Sequence, residues 1–243
     1  MTGGAGEDGH EPDTEERLAK AWVDGVPPKL TGPVAIVDYD SDWPWLFQRE
    51  ADRIRDLLGD RALLVEHVGS TSVPGLAAKP IIDIDLVVAD SAAEHAYLPA
   101  LEAAGYRLVI REPDWYEHRA LKGPDTNINL HVFSPGSPEV ERHLTFRDRL
   151  RTHAADRDRY ARTKRELATR SWTYIQEYAD AKTDVVTDIL ERARHGRECG
   201  RAWRPRQQRW PAAGRPPGFK RSGRRRRRGR GRCRSRPPGP GRR

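Results

Sequence analysis

The sequence predicts an α/β (α+β) domain with a mixed sheet followed by C-terminal helices. Short apolar runs with strand character alternate with segments of helical spacing early in the chain, and helical spacing dominates later. After His195 the composition changes to Arg, Gly and Pro, which cannot bury a core. We therefore expect a disordered or linker segment at 1–31, a folded domain at 32–195 and a disordered basic tail at 196–243.

The individual elements follow from periodicity, caps and breakers. Trp45, Ile54 and Leu58 recur at helical spacing before Gly59, and the strongest strand is the apolar run at 81–88. The expected helices cover 14–22, 45–58, 92–104, 138–150 and 156–194, the last interrupted near Tyr178, and the expected strands cover 34–37, 62–68, 81–88, 106–110, 116–121 and 128–133.

The net charge of +8 conceals two parts of opposite sign. Residues 196–243 hold 19 of the 44 Lys and Arg residues and a single acid, Glu198, which gives a charge of +18. Residues 1–195 keep 25 basic and 35 acidic residues, which gives −10. An attraction to nucleic acid predicted from the basic pI therefore concerns the tail alone.

The sequence carries no sign of secretion or membrane insertion. Cys199 and Cys233 both lie in the tail, so no disulfide framework is expected in the body of the chain. The acidic N-terminus lacks the apolar segment of a signal peptide, and no apolar run approaches the length of a membrane span. These features predict a soluble cytoplasmic protein without a membrane partner.

Two acids interrupt the strongest predicted strand. Side chains alternate along a strand, so Asp83 and Asp85 point to one face while Ile82, Ile84 and Leu86 fill the other. Carboxylates one pleat apart, about 6.6 Å between Cα atoms, can converge on Mg²⁺ or Mn²⁺, which prefer hard oxygen ligands and share them with phosphates. The alternative is an exposed edge strand with two solvated acids, and the apolar flanks argue against it.

A Gly-Ser turn follows the preceding predicted strand. Gly69 allows the backbone to turn tightly and approach a phosphate, and the hydroxyls of Ser70, Thr71 and Ser72 can hold phosphate oxygens. Such a turn is common in isolation. Its significance comes from the spacing, because 12 residues separate Ser70 from Asp83.

This arrangement resembles the signature of the nucleotidyltransferase superfamily, whose Gly-Ser motif and paired carboxylates bind a nucleoside triphosphate and metal ions. Within that superfamily the closer resemblance is to the GrpB family of bacterial proteins, and the run that carries it is HVGSTSVPGLAAKPIIDID at 67–85. The resemblance extends over 32–194 and implies this fold, a bound nucleotide and Mg²⁺. Further matching stretches are 37–39 with 43–44, 129–132, 146–151, and Tyr160 with Lys164.

Many members of that superfamily place a third carboxylate on a later strand. Here the predicted strand at 128–133 carries Asn129 and His131 on one face, and neither is an acid. We expect His131 to act as a secondary metal ligand or a base, or to be a hydrogen-bonded structural histidine.

Three basic residues are candidates for phosphate contact. Lys79 lies just before the strand of the two acids and either meets phosphate or is a solvated loop lysine. Arg147 and Lys164 match family positions, so the resemblance assigns them to nucleotide binding. For either one, a charged helix face is the alternative.

Two functions are compatible with these residues. In the first, the domain uses Asp83, Asp85 and His131 to transfer a nucleotidyl group to an unknown acceptor. In the second, it is a non-catalytic nucleotide-sensing or accessory module linked to coenzyme A biosynthesis, because similar domains occur fused to dephospho-CoA kinases. This sequence contains no G-x-x-x-x-G-K-[ST] loop, so the kinase part is not expected here.

The basic tail has two interpretations. It either binds RNA or DNA without sequence preference by neutralising phosphates, with Trp203 and Trp210 available to stack, or it is low-complexity sequence without a function. It shows no periodic pattern or motif, which favours the second interpretation.

Overall fold

A computed structural model describes residues 14–198 of the chain, with side chains up to residue 195. They form a five-stranded mixed sheet in the order β1-β2-β5-β4-β3, and the helices after β5 follow one another without a further strand, which confirms the predicted fold class. The expectations for residues 1–13 and for the basic tail beyond residue 198 lie outside the described part. The strands are β1 (Leu64–Val68), β2 (Ile82–Val87), β3 (Arg107–Glu112), β4 (His118–Lys122) and β5 (Ile128–Phe133), and the helices are α1 (Thr14–Ala21), α2 (Trp43–Leu58), α3 (Leu98–Ala103), α4 (Pro138–Thr152), α5 (Ala154–Ala168), α6 (Ile175–Asp180) and α7 (Thr183–Glu198).

Strand β2, which carries the two acids, lies inside the sheet. It pairs antiparallel with β1 on one side and parallel with β5 on the other. Strands β4 and β3 extend the sheet beyond β5 by antiparallel pairing. The alternative of an exposed edge strand for β2 is therefore wrong.

The two faces of the sheet have different roles. One face packs against α2 and α3 and forms the main core, with Ile84, Leu86 and Leu130 fully buried. The opposite face carries the polar side chains of β2 and β5 and is approached by α4.

Within residues 14–198 no helix is long and apolar enough to cross a bilayer. A second apolar cluster joins the C-terminal helices to the loop after β1 and consists of Val73, Leu76, Leu150, Tyr160, Val185 and Ile189.

The predicted strand at 34–37 is wrong. Val37 makes only an isolated bridge with Ala78, and Val34 packs in a third apolar cluster with Leu167 and Tyr178. Val34 and Ile36 pack in this cluster while Ala35 and Val37 are exposed, and over four residues this alternation is the same as that of a half-buried strand.

The predicted helix at 92–104 is shorter in the structure. The carboxylate of Asp90 accepts the N–H of Ala92 at 2.9 Å and forms a turn, and a short 3₁₀ turn follows at Glu94–Ala96. The α-helix begins only at Leu98, with Pro99 in its first turn, where a residue without an N–H is tolerated.

The long helical region predicted at 156–194 is divided into three helices. The breaks lie at 169–174 and 181–182, whereas Tyr178 lies inside α6 and is buried. At the first break the carboxylate of Glu177 accepts the N–H groups of Thr173 and Tyr174 at 2.7 and 3.0 Å. This cap starts a new helix, α6, after the break.

Candidate functional site

The candidate site is built on the polar face of β2 and β5. Asp83 pairs with Asn129 and Asp85 with His131 in the parallel register. The amide of Asn129 donates to Asp83 Oδ1 at 2.7 Å, while Ile84 between the acids is buried in the core on the opposite face. The predicted common face of the two acids is therefore confirmed.

Asp85 is compensated by a histidine from α4. Its side chain is wholly buried, and His143 Nδ1 lies 3.0 and 3.1 Å from its two oxygens. Burial raises the pKa of Asp85, although His143 opposes that rise. Burial lowers the pKa of His143, but the hydrogen bond and the charge of Asp85 outweigh it and leave the pKa raised. The two groups form a buried acid–imidazole pair that stabilises the acid in an apolar strand.

The Gly-Ser turn lies directly against Asp83. Gly69 has φ of 67° and ψ of −171°, a conformation open essentially to glycine alone, and a methyl group at this position would collide with the Asp83 carboxylate. The hydroxyls of Thr71 and Ser72 are buried and donate to the carbonyls of Ile81 and Gly69 at 3.2 and 2.6 Å. Of the predicted phosphate cradle, Gly69 and Ser70 are the half-exposed members.

Four lysines surround the Asp83 end of the site, and we call Lys79, Lys122, Lys164 and Lys182 the lysine cluster. The charge of Asp83 acts on all four. Lys164, only 2% exposed, donates to Ser70 Oγ at 2.9 Å and to the carbonyl of Ala77. Lys122 donates to Asn129 Oδ1 at 2.5 Å, and the ammonium groups of Lys79 and Lys182 lie 5.8 and 4.4 Å from the ring centre of Tyr178.

Burial controls the protonation of this cluster. It lowers the pKa of Lys79 and Lys122, that of Lys164 to about 7 and that of Lys182 to about 8. The carboxylate of Asp83 opposes the shift in each case, together with Asp180 at Lys182, and does not cancel it. An anion with several negative charges would bind here with the lysines fully protonated.

Arg147 is engaged within the protein and is not a free side chain that waits for phosphate. It donates to Glu66 Oε2 at 2.7 Å and to the carbonyl of His67 at 3.0 Å, and so ties α4 to β1. Arg151, one turn later, donates to the carbonyl of Ser72 at 2.8 Å. Together with His143, one turn earlier, these residues form the face of α4 that holds the site in place.

His131 belongs to a hydrogen-bonded row that runs away from the acids. Its Nδ1 lies 3.0 Å from His118 Nε2, and His118 Nδ1 lies 2.7 Å from Glu112 Oε2. Burial, followed by the neighbouring His118 and His143, holds the pKa of His131 well below its ordinary value. His131 is therefore a neutral imidazole at pH 7.

A cavity of about 650 Å³ opens onto this face. Its lining from the sheet and α4 includes Gly69, Asp83, His131 and His143. The opposite wall comes from α1 and the segment that follows it. Further lining residues are Trp22, Pro27, Pro28, Glu112, Trp115, His118 and Phe133.

The metal donors are limited to the two predicted carboxylates. Within the part of the chain that the structure describes, no group of three or more His, Cys, Asp and Glu side chains is arranged to hold a metal ion. Asp83 and Asp85 supply hard oxygens on one face; the Asp83 carboxylate fills the space beside Gly69, and both oxygens of Asp85 contact His143. The two carboxylates would hold an Mg²⁺ ion only if Asp85 released His143, and the ion would take its other ligands from phosphate and water.

Several residues of the site were missed by the sequence interpretation. His143 could have been found, because His143, Arg147 and Arg151 recur every four residues on one helix face. Lys122 and His118 reach the site only through the pairing of β4 with β5, and Lys182 only through the breaks between the C-terminal helices. No local pattern marks these three residues.

Comparisons with known proteins identify relatives of this chain. The model of a family described as "GrpB protein" matches residues 33–192. A UPF0157 protein of Halalkalibacterium halodurans is 58% identical over 182 residues, which are 75% of this chain and 93% of the relative. The crystal structure of the conserved protein GrpB from Enterococcus faecalis matches with a TM-score of 0.59 and 31% identity, over 68% of this chain and 99% of that one. A dephospho-CoA kinase of Mycolicibacterium paratuberculosis is 32% identical over 187 residues, which are 66% of this chain and 46% of the kinase.

Proposed function

This chain belongs to the GrpB family, and on that premise we propose that its domain binds a nucleoside triphosphate with Mg²⁺ and transfers a nucleotidyl group to an acceptor. The observation that carries the proposal is the lysine cluster around Asp83, next to the Gly69 turn. Four buried or half-buried ammonium groups face one carboxylate there, which is a costly arrangement until a polyanion fills the site.

The residues of this chain have separate roles in the proposal. Lys164 and Ser70 bind phosphate oxygens at the turn, and Lys79, Lys122 and Lys182 neutralise the remaining charge. Asp83 and Asp85 would hold Mg²⁺, which supplies charge neutralisation and orientation of the phosphates when bound. His143 keeps Asp85 in position, and Arg147 fixes the helix that carries His143.

His131 is the acceptor-side group of the proposal. It is neutral and lines the cavity beside Asp83. A neutral imidazole takes up the proton of an acceptor hydroxyl group that attacks the α-phosphorus while pyrophosphate leaves, whereas a carboxylate at this position would also bind metal. Because β5 carries Asn129 and His131 on its polar face and no acid, the site has one metal ligand fewer. It has a proton acceptor, His131, in its place.

The deciding experiment is a thermal-shift screen of nucleoside triphosphates with and without Mg²⁺. At a ligand concentration about 100 times Kd, stabilisation is roughly 2.7 kcal/mol, which raises Tm by about 5–10 °C for a chain of this size. We expect this rise in the wild type and its loss in Asp83→Asn. Asp56→Asn, an exposed acid on α2, is the matched control and should behave as wild type. No nucleotide-dependent shift at any Mg²⁺ concentration would contradict the proposal.

A second candidate function is a non-catalytic nucleotide-sensing or accessory module that serves coenzyme A biosynthesis. Two observations favour it: β5 places no third carboxylate on the polar face, and a relative named dephospho-CoA kinase is matched over 46% of its length. A fold does not determine an activity. Nucleotide binding without turnover would support this function, and release of pyrophosphate in the presence of any acceptor would exclude it.

A further inference from the structure

The cavity has an aromatic end that the proposed phosphate site does not use. The rings of His118 and Phe133 are stacked, with centroids 4.9 Å apart and planes 25° apart. Trp115 meets His118 edge-on at 5.2 Å and lies 6.2 Å from Phe133. Trp115 is 41% exposed and lines the cavity, so part of its surface is open to a ligand.

The aromatic end is separated from the lysine cluster along the strands. Asn129, bonded to Lys122, is at one end of β5, and Phe133 is at the other. Four residues of a strand span about 13 Å. The cavity volume of about 650 Å³ lies within the usual range of ligand pockets, roughly 300–1,000 Å³. A ligand of nucleoside size therefore fits in the cavity, which Gly69 and Asp83 line on the side of the proposed phosphate site.

A polar row borders this aromatic end. His118 links Glu112 to His131, because its two ring nitrogens lie 2.7 Å from Glu112 Oε2 and 3.0 Å from His131 Nδ1. His131 also lines the cavity. Aromatic faces beside fixed hydrogen-bonding groups suit a planar heterocycle with polar edges.

The wall opposite the sheet comes from a segment that precedes the matched family region, which begins at residue 33. The N–H of Val23 donates to the carbonyl of Val109 at 3.0 Å, and that of Leu30 donates to the carbonyl of Thr173 at 2.8 Å. Residues 22–30 therefore extend from the edge strand β3 to the loop before α6, and Trp22 lines the cavity between these anchors.

We propose that the aromatic end is a subsite for a nucleobase, which packs on Trp115 between the His118–Phe133 stack and the wall at residues 22–28. The inference rests on the proposed nucleotide function and specifies where the base of a ligand lies. The base belongs either to the triphosphate itself or to a nucleoside acceptor, and these share the same chemistry.

The test compares phosphate-free and base-free probes by isothermal titration calorimetry on the full chain. The probes are adenosine, guanosine, cytidine and uridine, with ribose as the control for the sugar and inorganic tripolyphosphate as the probe for the lysine cluster. The variants are Trp115→Ala and Trp115→Leu, with Trp45→Ala as the matched control. Trp45 is 59% exposed and packs on Arg49 of α2. Far-UV circular dichroism checks the fold of each variant.

We expect at least one nucleoside to bind the wild type and to lose about tenfold in affinity in both Trp115 variants. Trp45→Ala should bind it within about twofold of the wild type, and tripolyphosphate affinity should stay within about twofold throughout. Nucleosides that bind no better than ribose, or equally well to the Trp115 variants, would overturn the subsite. Nucleoside binding without tripolyphosphate binding would support the subsite and reject the proposed phosphate site.

A competition arm identifies the source of the base. If ATP displaces the nucleoside, the subsite holds the base of the triphosphate. If ATP and the nucleoside bind together, the subsite holds the base of the acceptor. Both results support a nucleobase subsite at Trp115.

Discussion

The Cα atom of Gly69 lies against the carboxylate of Asp83 so closely that no side chain fits between them. A Cβ built on Gly69 would be 3.0 Å from both Cβ and Cγ of Asp83 and nearer still to Oδ2. Because Gly69 also has φ of 67°, two independent constraints select glycine at the end of β1. The contact brings the backbone turn and the carboxylate into one site.

Gly69→Ala should therefore destabilise the fold by more than the backbone conformation alone requires. A positive φ with an extended ψ costs a non-glycine residue about 1–3 kcal/mol, and the collision with Asp83 adds to it. Gly75→Ala is the matched control, since Gly75 has φ of 75° and nothing within 4 Å of its added Cβ. Urea unfolding of both variants measures the difference. Equal losses of stability would show that Asp83 moves away without cost.

A pH-dependent stability follows from Lys164. Burial lowers the pKa of Lys164 from its ordinary 10.5 to about 7. Between these values the unfolded chain binds a proton that the folded chain does not, so the free energy of unfolding rises with pH across this window. The penalty is complete below about 7 and absent above 10.5.

Lys164→Met should flatten that rise, since methionine has no proton to bind in either state. Lys182, whose pKa burial lowers to about 8, continues to titrate in the variant, so the slope decreases and does not vanish. Urea unfolding series at several pH values from neutral to alkaline measure the slope. Lys20→Met, an exposed lysine paired with Glu16 on α1, is the control and should leave the slope unchanged.

Removal of Arg147 should cost more stability than removal of a surface arginine. The guanidinium of Arg147 is largely buried and donates to Glu66 and to the carbonyl of His67, so Arg147→Ala should cost about 2 kcal/mol. Arg159→Ala breaks a pair with Asp188 whose side chains are both well exposed, and it should cost much less. Chemical unfolding compares the two.

The same variants test whether Arg147 positions the site. Because Arg147 ties α4 to β1, its loss should also change the NMR titration of His143, which depends on contact with Asp85. Arg159→Ala should leave that titration unchanged. A normal His143 titration in Arg147→Ala would mean that α4 holds its place without this arginine.

The part of the site that the sequence predicts is the part made by short segments. Side chains alternate along β2, so Asp83 and Asp85 can be assigned to one face from this strand alone. A glycine after β1 predicts the turn in the same local way. The lysine cluster is different. Its members come from the loop before β2, from β4, from α5 and from the start of α7, so only the strand pairing and the helix breaks bring them together.

The mistaken elements also have physical reasons. At 34–37 only Val34 and Ile36 pack against helices, and that alternation over four residues has the same pattern as a strand. The break before α6 depends on Glu177 as a helix cap, a local signal within a region of continuous helical spacing. Periodicity predicts the type of the C-terminal helices correctly, whereas caps and tertiary contacts determine where they end.

The last prediction concerns the basic tail, which lies outside the described residues except for its first three. Its charge of +18 is opposite to the −10 of residues 1–195, so any affinity of the whole chain for nucleic acid should reside in the tail. We propose that such binding is independent of sequence and falls steeply with salt, because it consists of phosphate neutralisation by Lys and Arg.

Truncation after His195 tests this assignment. The shortened chain should keep a cooperative thermal unfolding transition and the nucleotide-dependent shift, since the apolar clusters and the lysine cluster lie within residues 34–193. Its affinity for DNA, measured by fluorescence anisotropy over a salt series, should disappear together with the salt dependence. A shortened chain that retains the full salt-sensitive affinity for DNA would place the binding surface on the domain instead. Loss of the cooperative transition would mean that residues after His195 contribute to the fold.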